Sequence, residues 1–155
     1  MNPVELQRRV RDVLPLWQDR LGRMSGLPLE LKPSVPSRVR CWARGQSADG
    51  RTYWLGISRP HAVTMAAGAL AWPPARVAAH LHGRDDHVLL RDAFGELANV
   101  GFAALDEALA GPEGRPGLRF SEASLWRDPP TSPSTLACRL TLPRMAPGSL
   151  MLHAA

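Results

Sequence analysis

The clearest feature of the hydrophobic pattern is a long amphipathic segment between residues 88 and 110. When these residues are wound at about 100° per residue, apolar side chains fall on one broad face and polar ones on the other. The apolar face contains Leu90, Ala93, Phe94, Leu97, Ala98, Gly101, Leu105 and Leu109. The polar face contains Asp92, Glu96, Asn99, Ala103, Asp106 and Glu107. This pattern predicts one long helix that packs on a core through a single side.

The segments before and after this helix predict shorter elements. Apolar residues at helical spacing predict a helix over residues 4–24, which Pro15 would kink or split. The alternating runs "SRVRCWARGQ" and "RTYWLGISR" flank the turn "SADG" and therefore predict a β-hairpin. Further strands are predicted in "LPLELKPSV", "LRFSEASLW", "STLACRLTLPRM" and "GSLMLHAA", and two short helices in "PHAVTMAAGALAW" and "PPARVAAHLHG".

The order of these elements predicts a two-layer α+β domain in which helices cover one mainly antiparallel sheet. We expect residues 38–58 and 118–155 to supply strands, and residues 1–155 to form a single domain. "LWQDRLGRMSGLPLEL" and "FAALDEALAGPEGRPGLRF" both run from helix through a glycine turn to strand, which indicates a weak internal repeat. The expected core contains Trp42, Trp54, Leu55, Phe94, Leu97, Leu105 and Leu140, and Trp17 and Trp126 are also expected to pack on it.

Composition excludes several classes of function. Hydrophobic residues make up 45% of the chain, but no apolar run approaches the ~18 residues of a membrane span. The first residues lack the apolar stretch of a signal peptide, so a cytoplasmic location is expected, and Cys41 and Cys138 are expected to be buried thiols. The net charge of +5 comes from scattered arginines, a pattern that argues against nucleic-acid binding and favours acidic protein partners.

The polar face of the long helix carries the main candidate chemistry. Asp92, Glu96 and Asn99 are four and three residues apart, so their side chains converge on one patch. Asparagine is a poor helix former, which suggests that something other than helix stability placed it there. Its amide can hold a water molecule, and a neighbouring carboxylate can pair with a partner's lysine or arginine. The patch has no nucleophile and no set of metal ligands, so it would complete chemistry housed elsewhere. The alternative is an ordinary solvated helix face.

Other candidate sites are less specific. "HLHGRDDH" places His80, His82, Asp85, Asp86 and His87 within eight residues, which could indicate a metal site. However, it falls at a predicted helix–helix junction, where polar residues are expected, and no matching ligand cluster occurs elsewhere. Cys138 lies in an alternating strand and is interpreted as core rather than as a nucleophile. The chain contains no P-loop, dinucleotide fingerprint or nucleophile elbow.

The segment "DAFGELANVGFAALDEAL" resembles the helix signature of the CheC/CheX family of chemotaxis phosphatases. In that signature, Asp or Ser, then Glu, then Asn occur at the spacing of Asp92, Glu96 and Asn99, followed by a glycine at the position of Gly101. "YWLGISRPHAVTMAAGAL" is similar to the family's strand and alanine-rich helix. A single copy of the signature makes the chain more similar to CheX, or to a one-site CheC, than to the two-site form.

The resemblance implies a phosphatase of a phosphorylated CheY-type response regulator. Asn99 would orient the attacking water, Glu96 would pair with the partner's lysine, and Asp92 would have a supporting role. The aspartyl phosphate and Mg²⁺ would belong to the regulator, so the chain would carry no cofactor of its own. An exposed sheet edge could also pair two subunits, as in dimeric relatives.

One position departs from the family signature. A proline usually lies about 22 residues beyond the asparagine, whereas this chain has Ser121 and Glu122 there and no proline before Pro129. The alternative function is therefore a catalytically silent interaction module, as in related domains of flagellar-switch proteins.

Overall fold

A computed structural model describes residues 2–155 as helices layered on one antiparallel sheet. The helices are α1 (Pro3–Val10), α2 (Leu14–Ser25), α3 (Arg59–Ala69), α4 (Pro74–Ala78) and α5 (Val88–Ala108), with a 3₁₀ turn at Arg11–Val13. The strands are β1 (Glu30–Pro33), β2 (Cys41–Gln46), β3 (Thr52–Ile57), β4 (Arg119–Ser124), β5 (Ser134–Thr141) and β6 (Gly148–Ala154). The α+β fold class, the hairpin around "SADG" and the long helix are therefore confirmed.

Pro15 divides the first helical segment, as its sequence predicts. The 3₁₀ turn separates α1 from α2, and Pro15 lies in the first turn of α2, where no backbone N–H donor is needed. At the other end of the segment, the Asn2 side chain accepts a hydrogen bond from the Glu5 backbone at 2.8 Å and caps α1.

The sheet has the strand order β1–β5–β6–β3–β2–β4, and every neighbouring pair is antiparallel. The hairpins β2–β3 and β5–β6 meet at the centre through β3 and β6. Each outer strand pairs with the hairpin of the other half of the chain: β1 with β5, and β4 with β2. The topology therefore has the regularity that the internal repeat predicts, with a helix, a strand and a hairpin in each half.

The main core lies between the sheet and the helices. It buries Trp17, Leu55, Phe94, Leu97, Leu105 and Leu140 together with many smaller side chains. The prediction for the core is wrong for two tryptophans. Trp54 is only partly buried and packs with the fully buried Trp42 in a small cluster on the opposite face of the sheet. Trp126 is 38% exposed and lies against the guanidinium groups of Arg40 and Arg84.

Both cysteines are buried free thiols, as expected. Burial raises the pKa of Cys41 to about 12 and that of Cys138 to about 11, so neither thiol is a thiolate at neutral pH. The hypothesis of a cysteine nucleophile therefore has no support in this environment. In residues 2–155, no helix is long and apolar enough to cross a membrane.

Two buried histidines make the stability of the fold depend on pH. The His61 ring bridges the Ser58 hydroxyl and the Ala146 carbonyl at 2.8 Å each, and His153 is bonded to the Ser132 carbonyl. Burial lowers the pKa of both rings below the ordinary histidine value, although their carbonyl partners act in the opposite direction. The unfolded chain therefore binds protons at a higher pH than the folded chain does.

We expect the free energy of unfolding to fall as the pH is lowered from about 6.5 toward 5, because protons are taken up preferentially by the unfolded state. Urea titrations at pH 7.5, 6.5 and 5.5 measure this effect while the carboxylates stay ionised. Because His82 is exposed, His82→Asn should leave the pH dependence unchanged and serves as the control. Equal stability at the three pH values would contradict the prediction.

Candidate functional site

The three polar residues of the signature project from one uninterrupted helix. Asp92, Glu96 and Asn99 are all exposed, and α5 runs through them without a break from Val88 to Ala108. The expected exposure of these side chains is confirmed. Their shared helix fixes their relative positions, because residues three and four apart are neighbours on a helix surface.

The exposed stripe of α5 is longer than the signature. At about 100° per residue, four more exposed residues, Val88, Leu89, Ala103 and Glu107, fall within the same sector of about 100° as the triad. Glu107, at the far end, is paired with Arg20 at 2.7 Å. Val88 is 53% exposed and Leu89 is 45% exposed, so the stripe begins with two large apolar side chains. We name the part of this set that precedes Glu107, that is Val88, Leu89, Asp92, Glu96, Asn99 and Ala103, the α5 stripe.

Few side chains pair with the polar groups of the α5 stripe. The Arg91 guanidinium lies 3.9 Å from the Asp92 carboxylate and 3.4 Å from that of Asp86. Within residues 2–155, no hydrogen bond to another side chain and no ion pair engages Glu96 or Asn99. The carboxylate and the amide are therefore free to engage a group supplied from outside the chain.

Two glycines allow close packing on either side of this segment. Trp17 donates its indole N–H to the Gly101 carbonyl at 2.8 Å, and a Cβ at Gly101 would lie 3.0 Å from a methyl group of Leu55. On the other side, a Cβ at Gly95 would lie 3.1 Å from the Phe120 ring of β4. Both glycines are thus explained by close neighbours, since a Cβ at either position would require the neighbouring side chain to shift by a few tenths of an ångström. Asn99 has no such structural explanation.

The histidine-rich run before α5 holds the start of the helix in place. Arg59, only 7% exposed, donates five hydrogen bonds, to the carbonyls of His80, Asp85 and Leu125 and to the Asp85 carboxylate. Asp86 accepts a bond from the Leu125 backbone at 3.1 Å. In the described part of the chain, no group of three or more His, Cys, Asp and Glu side chains could hold a metal ion. These hydrogen bonds fix the loop that leads into α5. Arg59 donates most of them, and the sequence does not reveal this role because Arg59 belongs to no motif.

Glu122 stands near the place of the family's proline and lies on the edge strand β4. Its carboxylate accepts a hydrogen bond from Arg127 at 2.7 Å and lies 3.6 Å from Arg44, and the Arg127 bond helps to lower its pKa. The neighbouring Ala123 faces Gly95 of α5, so Glu122 points to the opposite face of the sheet. Glu122 therefore lies on the side of the sheet away from the α5 stripe.

The chain is similar to known proteins in its structure. No protein-family model and no curated protein sequence matches the chain. A CheC-like superfamily protein from Shewanella sp. PV-4 matches all of this chain and 99% of its own, with 12% identity and a TM-score of 0.61. Chemotaxis protein CheX from Vibrio vulnificus matches over 96% of this chain and 99% of its own, with 14% identity and a TM-score of 0.59. The FliM middle domain from H. pylori matches over 96% and 91%, with 11% identity and a TM-score of 0.67.

These similarities establish the fold. The chain has the CheC/CheX fold, which the FliM middle domain shares, and the resemblance seen in the signature is confirmed at that level. A fold shared by chemotaxis protein CheX, a CheC-like protein and the FliM middle domain does not identify one activity. The function has to be argued from the residues that the fold exposes.

Proposed function

We propose that this protein is a phosphatase of a phosphorylated CheY-type response regulator. The observation that carries the proposal is the exposure of Glu96 and Asn99, without side-chain partners among residues 2–155, on an unbroken helix of the CheC/CheX fold. A helix that only covered a core would gain stability from alanine at position 99. The asparagine is better explained by a task performed on another molecule.

The chemistry assigned to Asn99 is the positioning of water. In the reaction, a water oxygen forms a bond to phosphorus as the bond between phosphorus and the aspartyl oxygen breaks. The electron pair stays on the regulator's carboxylate, and inorganic phosphate leaves. The amide holds the water in line with the breaking bond, as a glutamine does in signalling GTPases. The regulator supplies the Mg²⁺ and the phosphoaspartate.

Glu96 is assigned to docking and orientation. Its free carboxylate lies one helical turn from Asn99 and can pair with a lysine beside the regulator's phosphate. Asp92 lies a further turn along the stripe and adds negative charge that favours the same basic group. The chain thus supplies one amide and two carboxylates, and the regulator supplies the remaining groups.

A second candidate function is a catalytically silent interaction module. The FliM neighbours favour it, because they include solved complexes of FliM with FliG and of FliM with SpeE from H. pylori. The absence of the family's proline in the region of Ser121 and Glu122 also favours it. In this alternative, the α5 stripe binds a partner without changing its phosphorylation state.

One assay separates the two functions. CheY-type regulators are labelled with ³²P by a histidine kinase, freed from the kinase, and incubated with and without the purified protein. We expect the protein to accelerate the loss of label from at least one regulator above its spontaneous rate. Binding without acceleration across the regulators tested would support the interaction module instead.

A further inference from the structure

The α5 stripe changes character along its length. Its first turn exposes the apolar side chains of Val88 and Leu89, its middle exposes two carboxylates, and Asn99 with the small Ala103 follows. Leu89 and Asn99 are ten residues apart on α5, a separation of about 15 Å along the helix axis. Single exposed apolar side chains are common, but adjacent ones that form a patch rimmed by polar groups are typical of surfaces that another molecule covers.

We infer that Val88 and Leu89 form the apolar anchor on which the phosphorylated regulator docks. This inference rests on the proposed function and adds the orientation of the partner. The regulator places an apolar patch against the first turn of α5 and its phosphate near Asn99, about 15 Å away. A basic group between them faces Asp92 and Glu96.

The charge and the size of the side chains along the α5 stripe favour a phosphorylated regulator as the occupant. The middle of the stripe carries two carboxylates, and within residues 2–155 Arg91, at 3.9 Å from Asp92, is the one cation that lies within 4 Å of either. A partner with a basic group is therefore complementary. Beyond Asn99, Ala103 offers only a methyl group and leaves room for a bulky group such as a phosphate. The covered core of a protein interface is more apolar than its polar rim, and an apolar anchor beside charged groups fits that division.

The anchor has a direct test with a matched control. The double variant Val88→Thr/Leu89→Gln keeps side-chain size and helix propensity close to those of the wild type but makes the anchor polar. The control, Val4→Thr/Leu70→Gln, makes the same changes at two exposed positions away from the α5 stripe. Steady-state hydrolysis is measured with the phosphorylated regulator that the wild type hydrolyses fastest. The affinity is measured by calorimetry with the same regulator activated by beryllofluoride.

We expect the double variant to raise both KM and Kd roughly tenfold while kcat stays within about twofold of the wild-type value, because apolar area is lost only from the docking surface. The control should match the wild type, and circular dichroism should show both variants folded. An unchanged Kd in the double variant would overturn the anchor while leaving the phosphatase function intact. If the double variant fails to fold, Val88→Thr alone is measured against Val4→Thr. A wild-type protein that hydrolyses no regulator would refute the proposed function, and the anchor with it.

Discussion

Asn99→Ala is expected to reduce kcat on the phosphorylated regulator by about 10²-fold, equivalent to about 3 kcal/mol of transition-state stabilisation. The affinity for the regulator should change little, because the amide acts mainly on the attacking water. The loss should not result from unfolding. Asn99 is exposed, within residues 2–155 it has no side-chain partner, and alanine is the better helix former, so the melting temperature should stay the same or rise. Single-turnover loss of ³²P and thermal melts measure the two quantities.

The control for this variant removes an exposed amide from another helix. Gln7 is exposed on α1, and Gln7→Ala should leave both kcat and stability near their wild-type values. Equal rates for Asn99→Ala and the wild type would show that the amide does not position water. The interaction module would then become the preferred function.

The arrangement of helices and strands could be predicted because local signals agree with the tertiary structure. Pro15 marks the break between α1 and α2, "SADG" lies in the β2–β3 hairpin, and the apolar periodicity of residues 88–110 closely matches α5. The triad could be predicted for the same reason, since a helix of known register fixes which residues share a surface. Its proposed role in catalysis rests on the family resemblance and on that exposure.

The side of the sheet that the helices cover could not be predicted from alternation alone. Leu55 faces the helices, whereas Trp54 on the same strand faces the opposite side, and both positions are apolar in the sequence. A period of two separates the faces of a strand but does not say which face the core occupies. The hydrogen bonds of Arg59 join residues up to 66 positions apart, beyond the reach of any local motif.

Glu96→Gln should weaken recognition of the regulator as well as the reaction, in contrast to Asn99→Ala. The substitution keeps the shape of the side chain but removes the charge that would pair with a lysine of the regulator. The loss of a charge pair that docking covers costs about 2 kcal/mol, so kcat/KM should fall roughly 30-fold, with a clear rise in KM. Glu113→Gln, which changes an exposed carboxylate in a loop away from the α5 stripe, is the matched control.

Salt dependence identifies the cause of the Glu96→Gln defect. Raising the ionic strength from 0.15 M toward 1 M shortens the screening length from about 8 Å to about 3 Å, which weakens a partly exposed ion pair. The wild-type KM should therefore increase with salt more steeply than the KM of Glu96→Gln, and the two values should converge. Parallel salt curves for the two proteins would contradict an ion pair at Glu96. A defect confined to kcat would instead assign this carboxylate to the chemical step, where it would act with Asn99 on the water rather than in docking.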